Sequence, residues 1–233
     1  MRKLASLFMV IVLLLPASTI HAEETRATVT VTGEGRVDVT PDMATLSLGV
    51  NTEADTAKAA LDLNSAQLAK VLEGLKNLGI EPRDIQTSGL SLGPRYDYNS
   101  SNSGPKLVGY VASNVVTVRI RALDTLGGVL DGVVAEGANT LNGLSFGLQD
   151  TAGPTDEARR RAVADARHRA ELYAEAAGVK LGTVLSISEQ MGMSQPMPMM
   201  MAEAAMTKGA GVPVEAGELT LATTLTVVYE IAR

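Results

Sequence analysis

Residues 191–201, MGMSQPMPMMM, hold six methionines in eleven positions. Thioether sulfur is a soft ligand that selects copper(I) among biological metals. It is also reversibly oxidised, and it packs adaptably at interfaces. Pro196 and Pro198 exclude a regular helix through the middle of the stretch. In extended backbone, side chains alternate faces. Met191, Met193, Met197, Met199 and Met201 then form a one-sided strip, with Gly192, Ser194, Pro196 and Pro198 opposite. Such a strip spreads its sulfurs instead of converging them, and no His or Cys lies nearby to anchor an ion. Interface packing is the favoured reading. A copper(I) site made by these five methionines and a sacrificial oxidant sink are the alternatives. A membrane hook is disfavoured, because Lys208 is the only cation accompanying the strip.

The other reactive residues point to less. His168 is the one histidine beyond position 21, and it lies between Arg167 and Arg169. Flanking cations disfavour its charged form, and no second metal ligand follows at helical spacing, so it reads as a surface side chain. The same segment carries Arg159, Arg160, Arg161, Arg167 and Arg169, which could bind an anion. However, Glu157 precedes Arg161 by four, Asp165 precedes Arg169 by four and Arg167 precedes Glu171 by four. That spacing suits a salt-bridged, solvated face. Gly33-Glu34-Gly35 is too short for a phosphate loop and leads into a strand. Asp97 between Tyr96 and Tyr98 suggests a contact surface. No carboxylate pair, nucleophile or cofactor loop emerges, so the reading is non-enzymatic, with no catalytic residue and no cofactor.

The elements that must position these residues read as α+β. Thr28–Thr32 alternates as a strand, Gly33–Gly35 reads as a turn or bulge, and Arg36–Thr40 is a second extended piece. Thr45–Asn51 alternates again. Asp55 is placed to cap a helix carrying Leu61, Leu68, Leu72, Leu75 and Leu78, closed by Gly79. Extended stretches over 85–98 and 107–121 flank a hairpin loop. Asp124 is placed to cap a short helix with Val129, Leu130, Val133 and Val134, closed by Gly137. A strand over 140–148 precedes a long helix over 155–177, whose Ala158, Ala162, Ala166, Ala170 and Ala177 form a small-residue seam. Strands over 183–189 and 218–231 bracket a Met/Pro/Ala-rich insertion at 190–217. The last strand puts Leu219, Leu221, Leu225, Val227, Tyr229 and Ile231 on one face, as an antiparallel sheet covered by helices on one side requires. The expected fold is an antiparallel-rich sheet with about three helices packed on it, with room for two subdomains. GLSL at 89–92 and GLSF at 143–146 hint at an internal duplication.

Arg2, Lys3 and the apolar run Leu4–Leu15 read as a cleaved signal peptide over residues 1–22. No later segment is long and apolar enough to span a bilayer. Beyond the leader, 18 basic against 26 acidic residues leave a net charge of −8. That balance, with no Trp and Phe146 as the one remaining Phe, argues against nucleic acid as a partner. Absence of Cys removes thiol chemistry and Cys-ligated zinc.

Five stretches in order resemble the SIMPL-domain family, which includes the YggE-like periplasmic proteins. They are VTGEGRVDVTPDMATLSLGV, DIQTSGLSLGPRYDY, GYVASNVVTVRI, FGLQD with the following EARRRAVADARHRAELYAEAAGVKLG, and AGELTLATTLTVVYEI. The resemblance covers residues 23–233 as a SIMPL-like domain. It implies an exported α+β protein of the periplasm that forms ring-like homo-oligomers, with room for peripheral association with the outer membrane. It also implies a loose link to oxidative-stress defence and recognition as an envelope antigen. It carries over no catalytic residues. The expected function is therefore a self-associating, non-enzymatic envelope scaffold, with periplasmic copper(I) binding or buffering by the Met-rich segment as the alternative.

Overall fold

Pro41 interrupts the alternating N-terminal sequence, and the two strands on either side of it enter different sheets. In the computed structural model, residues 26–98, 104–189, 197–199 and 214–232 are described. The expected signal peptide and most of the Met-rich insertion lie outside these residues. In chain order the elements are β1 (Thr28–Val39), β2 (Met43–Ala54), α1 (Ala57–Asn77), β3 (Ile85–Asp97), β4 (Lys106–Ile120), α2 (Leu126–Ala135), β5 (Thr140–Gly147), α3 (Ala152–Ala176), β6 (Lys180–Glu189), β7 (Met197–Met199) and β8 (Glu218–Ala232). The single sheet expected from alternation is in fact two. One runs β1-β8-β6, with β7 also paired to β8; the other runs β3-β4-β2-β5. The fold class is α+β.

In the second sheet β2 turns Ala44, Leu46, Leu48 and Val50 to one face, and β4 turns Val116, Val118 and Ile120 to the same face. All are buried beneath Leu68, Val71 and Leu75 of α1 and Val129 and Val133 of α2. Each buried Val, Leu or Ile among them contributes roughly 1.5–3 kcal/mol by leaving water. The order is that of a split β-α-β pair, in which β2-α1-β3 and β4-α2-β5 interlock. The repeated GLS segments occupy equivalent places on the two outer strands. A bulge at Ser88 precedes one and a bulge at Asn142 precedes the other.

In the first sheet Val31, Leu225, Val227 and Tyr229 pack under α3. Burial raises the Tyr229 hydroxyl above its usual pKa. The helix contacts the sheet with Ala158, Ala162, Ala166, Ala170 and Ala174. Ala174, not the expected Ala177, completes the seam, because Ala177 lies beyond the last turn as the C-cap. β1 is continuous and pairs with β8 without a register shift, so the turn or bulge expected at Gly33–Gly35 does not occur. These glycines are there for approach: a Cβ on Gly33 would meet the Ala162 carbonyl, and one on Gly35 the Ala158 carbonyl.

Helix ends follow the sequence closely at their C-termini. Gly79 has φ 85°, and the Ile80 N–H reaches back to the Leu75 carbonyl at 3.0 Å. This is a left-handed terminator that glycine adopts without strain. Gly137 and Gly178 end α2 and α3 in the same way. The N-caps differ from expectation. Thr56, not Asp55, caps α1 by accepting the Ala59 N–H at 3.2 Å. Asp124 lies within a 3-10 turn over Leu123–Thr125, and Thr125 takes the cap position of α2, its hydroxyl donating back to the Ala122 carbonyl and capping no helical N–H. No helix among the described residues is long and apolar enough to cross a membrane.

Candidate functional site

The pseudo-symmetry of the second sheet exposes its own exception. On β5, Leu144 and Phe146 turn to the helix face and pack against the core. Their counterparts on β3 are Leu90 and Leu92, opposite Asn114 and Ala112 of β4 on that same face. Neither is covered: Leu90 is 62% exposed and Leu92 44%. The strip continues along the β3–β4 hairpin through exposed Tyr96, Tyr98 and Leu107. The Tyr96 and Tyr98 rings lie 6.4 Å apart at 58°, a tilted pair of the kind aromatic quadrupoles favour. Beside it runs the outer edge of β3, which pairs with no other strand among the described residues. A long, apolar, unpaired edge is a template for another strand. Asp97, between Tyr96 and Tyr98, lies along the same hairpin. Sequence reading missed Leu90 and Leu92, although the GLSL/GLSF comparison held the signal.

The expected charged face of α3 is present. Arg161 bonds Glu157 at 3.0 Å, Arg169 bonds Asp165 at 2.9 Å, and Arg167 bonds Glu171 at 2.7 Å. Arg160 joins Glu157, and Arg159 spans Asp156 and Glu189 of β6. Hydrogen bonds from Arg161 and then Arg160 hold the Glu157 carboxyl below its usual pKa. His168 is exposed on the same helix. Two of these side chains also reach the free edge of β1. Asp165 Oδ2 accepts the Glu34 N–H at 2.8 Å, and Arg161 donates to the Arg36 carbonyl at 2.7 Å.

The most buried ion pair was not foreseen. Asp84 accepts from Nε and Nη2 of Arg121, both at 2.7 Å. These bonds outweigh desolvation and hold its carboxyl below the usual pKa. Arg121 also donates to Gln149 at 3.2 Å, and Gln149 in turn bonds Asp42.

Of the methionine strip, Met197 and Met199 belong to β7, which pairs with β8 through Met197–Thr220 and Met199–Glu218. Met191, Met193 and Met201 lie outside the described residues, and no side-chain position bears on the strip. Among the described residues no three His, Asp or Glu converge as metal ligands; thioether sulfur is a separate question.

Two sheets, each covered by helices on one face and each ending in strand edges, define a two-layer α+β protein whose prominent surface features are edges and faces. It belongs to the SIMPL family, described as a protein of unknown function (DUF541), whose profile matches residues 29–229. It is 39% identical over 212 residues to the 26 kDa periplasmic immunogenic protein of Brucella melitensis, covering 88% of this chain and 85% of that protein. It is 34% identical over 186 residues to YggE of Escherichia coli K12, covering 80% and 73%. YggE of Edwardsiella ictaluri is 35% identical over 170 residues, covering 73% and 71%.

Proposed function

We propose that this chain is an exported, non-enzymatic periplasmic envelope protein that works by associating with copies of itself. The relative named as periplasmic supports the location, together with the leader-like residues 1–22. The observation that carries self-association is the bare Leu90–Leu92 strip beside the open edge of β3. The same positions on β5 are filled by packing within the chain, so the fold supplies a cover on one side and leaves the other for a neighbour. Contiguous exposed apolar patches mark contact sites.

The test is molar mass by light scattering on the mature protein and on a Leu90→Lys, Leu92→Lys variant. Both positions are exposed, so the protomer stays folded. Burying each leucine at a contact contributes about 1.5–3 kcal/mol, so association is expected to weaken by about a hundredfold or more. An unchanged mass in the variant, or a monomeric wild type, sinks the reading.

A second reading concerns the methionine strip. Extended backbone at β7 supports the alternation that would align its odd-numbered sulfurs. If the strip joins the interface, Met193→Gln, Met197→Gln and Met199→Gln together lower the molar mass. If it binds copper(I), the same change abolishes copper(I) titration and leaves the mass alone. If it is an oxidant sink behind the stress link, only peroxide consumption falls.

A further inference from the structure

A crevice of about 490 Å³ opens between the end of α2 and β5. Its floor is Leu48, Leu130, Val133 and Ala138, all buried, and its walls are Val134 and Leu141, both exposed. That size lies within the range of ligand sites. Val134, unlike Val133 beside it on α2, stands out over the crevice. The bulge at Asn142 sets Leu141 on the opposite wall, paired with Leu48 beneath. Two further observations narrow the occupant. The outer edge of β5 beside the crevice pairs with no other strand among the described residues. The chain from Ala122 to Thr151, which builds α2, β5 and the flanking loops, holds four acidic residues and no basic one, with exposed Asp131 at the crevice itself.

We propose that this crevice binds an extended segment of another polypeptide that carries an apolar side chain between basic residues. The apolar side chain enters between Val134 and Leu141, a neighbouring lysine or arginine meets Asp131, and the segment's backbone lies along the β5 edge. Strand addition supplies affinity through main-chain bonds, and a pocket for alternate side chains supplies selectivity. The acidic surroundings favour encounter with a cationic segment and reject an anionic one. A free fatty acid satisfies the apolar walls but places a carboxylate near Asp131. The site is separate from the β3 strip, at the opposite edge of the same sheet.

The experiment uses the mature protein and a fluorescein-labelled hexapeptide alternating lysine with leucine, followed by fluorescence anisotropy. Binding is expected for this peptide and not for its counterparts alternating glutamate with leucine or lysine with serine. Val134→Ser with Leu141→Ser is expected to weaken binding tenfold to a hundredfold. Asp131→Asn is expected to weaken it twofold to fivefold and to flatten its salt dependence. Circular dichroism checks the fold; should the double variant unfold, Asp131→Asn and the two control peptides still decide. No binding, equal binding of the glutamate peptide, or indifference to Asp131→Asn overturns the proposal. Displacement by laurate that is unaffected by Asp131→Asn identifies a lipid site instead, and a fall in molar mass in the double variant identifies a contact between copies; either overturns it.

Discussion

Asp84 and Arg121 divide their roles unevenly. Asp84 is buried, whereas the guanidinium of Arg121 is partly exposed. Removing the arginine therefore strands a buried carboxylate, while removing the carboxylate leaves a cation that still reaches water. Arg121→Met is expected to destabilise more than Asp84→Asn, because it leaves the buried carboxylate without its partner, read by urea unfolding at pH 7. The folded-state pKa of Asp84 lies below its unfolded value, which is about 3.9. Its contribution is thus complete well above pH 4 and fades as pH falls through the folded value. The gap between wild type and Arg121→Met should accordingly shrink at pH 3; a gap that holds at low pH would show that packing, not charge, sets the cost. At the other extreme, His168→Ala should shift stability by less than about 0.5 kcal/mol, as thermal melts would report. The exposure of His168 and the pairings of its helix were legible because both partners lie within one turn. The Asp84–Arg121 pair was not, because 37 positions separate its members and neither has a local signature.

At the scale of elements, α3 and β1 fit by subtraction. A seam of five alanines and two glycines removes side chains until helix and strand backbones touch. Gly35→Ala puts a methyl into the Ala158 carbonyl, and backbone cannot move aside as a side-chain tip can. A loss of about 3 kcal/mol or more is expected, confined to the first sheet; tyrosine fluorescence and calorimetry would register it, and a neutral result would mean the helix rides higher than described. The small-residue seam was visible in the sequence. Its strand partner was read as a turn or bulge, since glycine pairs signal turns, bulges and close approaches alike. The same helix seals part of β1's edge through Asp165 and Arg161. Asp165→Ala with Arg161→Ala should leave the fold intact and raise edge-to-edge aggregation, measured as light scattering over hours. A variant no more prone to aggregate than wild type would show that this edge needs no guard.

On the scale of the whole molecule, the segment from β2 to β5 is inserted between β1 and α3. The two strands of chain that enter and leave it run side by side. Asp42 N–H bonds the Gly147 carbonyl at 3.1 Å, Gln149 N–H bonds Asp42 Oδ1 at 2.7 Å, and Arg121 ties Gln149 to Asp84. Alternation marked the inward faces of β2 and β8 but named no strand's neighbour, so one sheet was expected and two subdomains were left open. Their separate cores suggest two unfolding steps when either is weakened, while Val214, just before β8, packs on the second core and links them. The inserted arrangement also fixes an order of events. β1 precedes every other described element in the chain, yet its partner is β8, the last of them, with Thr28 opposite Glu230. Until the last fifteen residues of structure arrive, β1 has no ladder to join and α3 has no strand to cover. Residues 42–149 carry every fully buried residue of the second core, which is therefore expected to close before β8 is made. A chain stopped before Glu218 should therefore hold a protease-resistant fragment spanning roughly those residues, flanked by digestible ends. The first sheet therefore closes last, and the length of the chain acts as a timer that holds its opening strand unpaired until β8 is made.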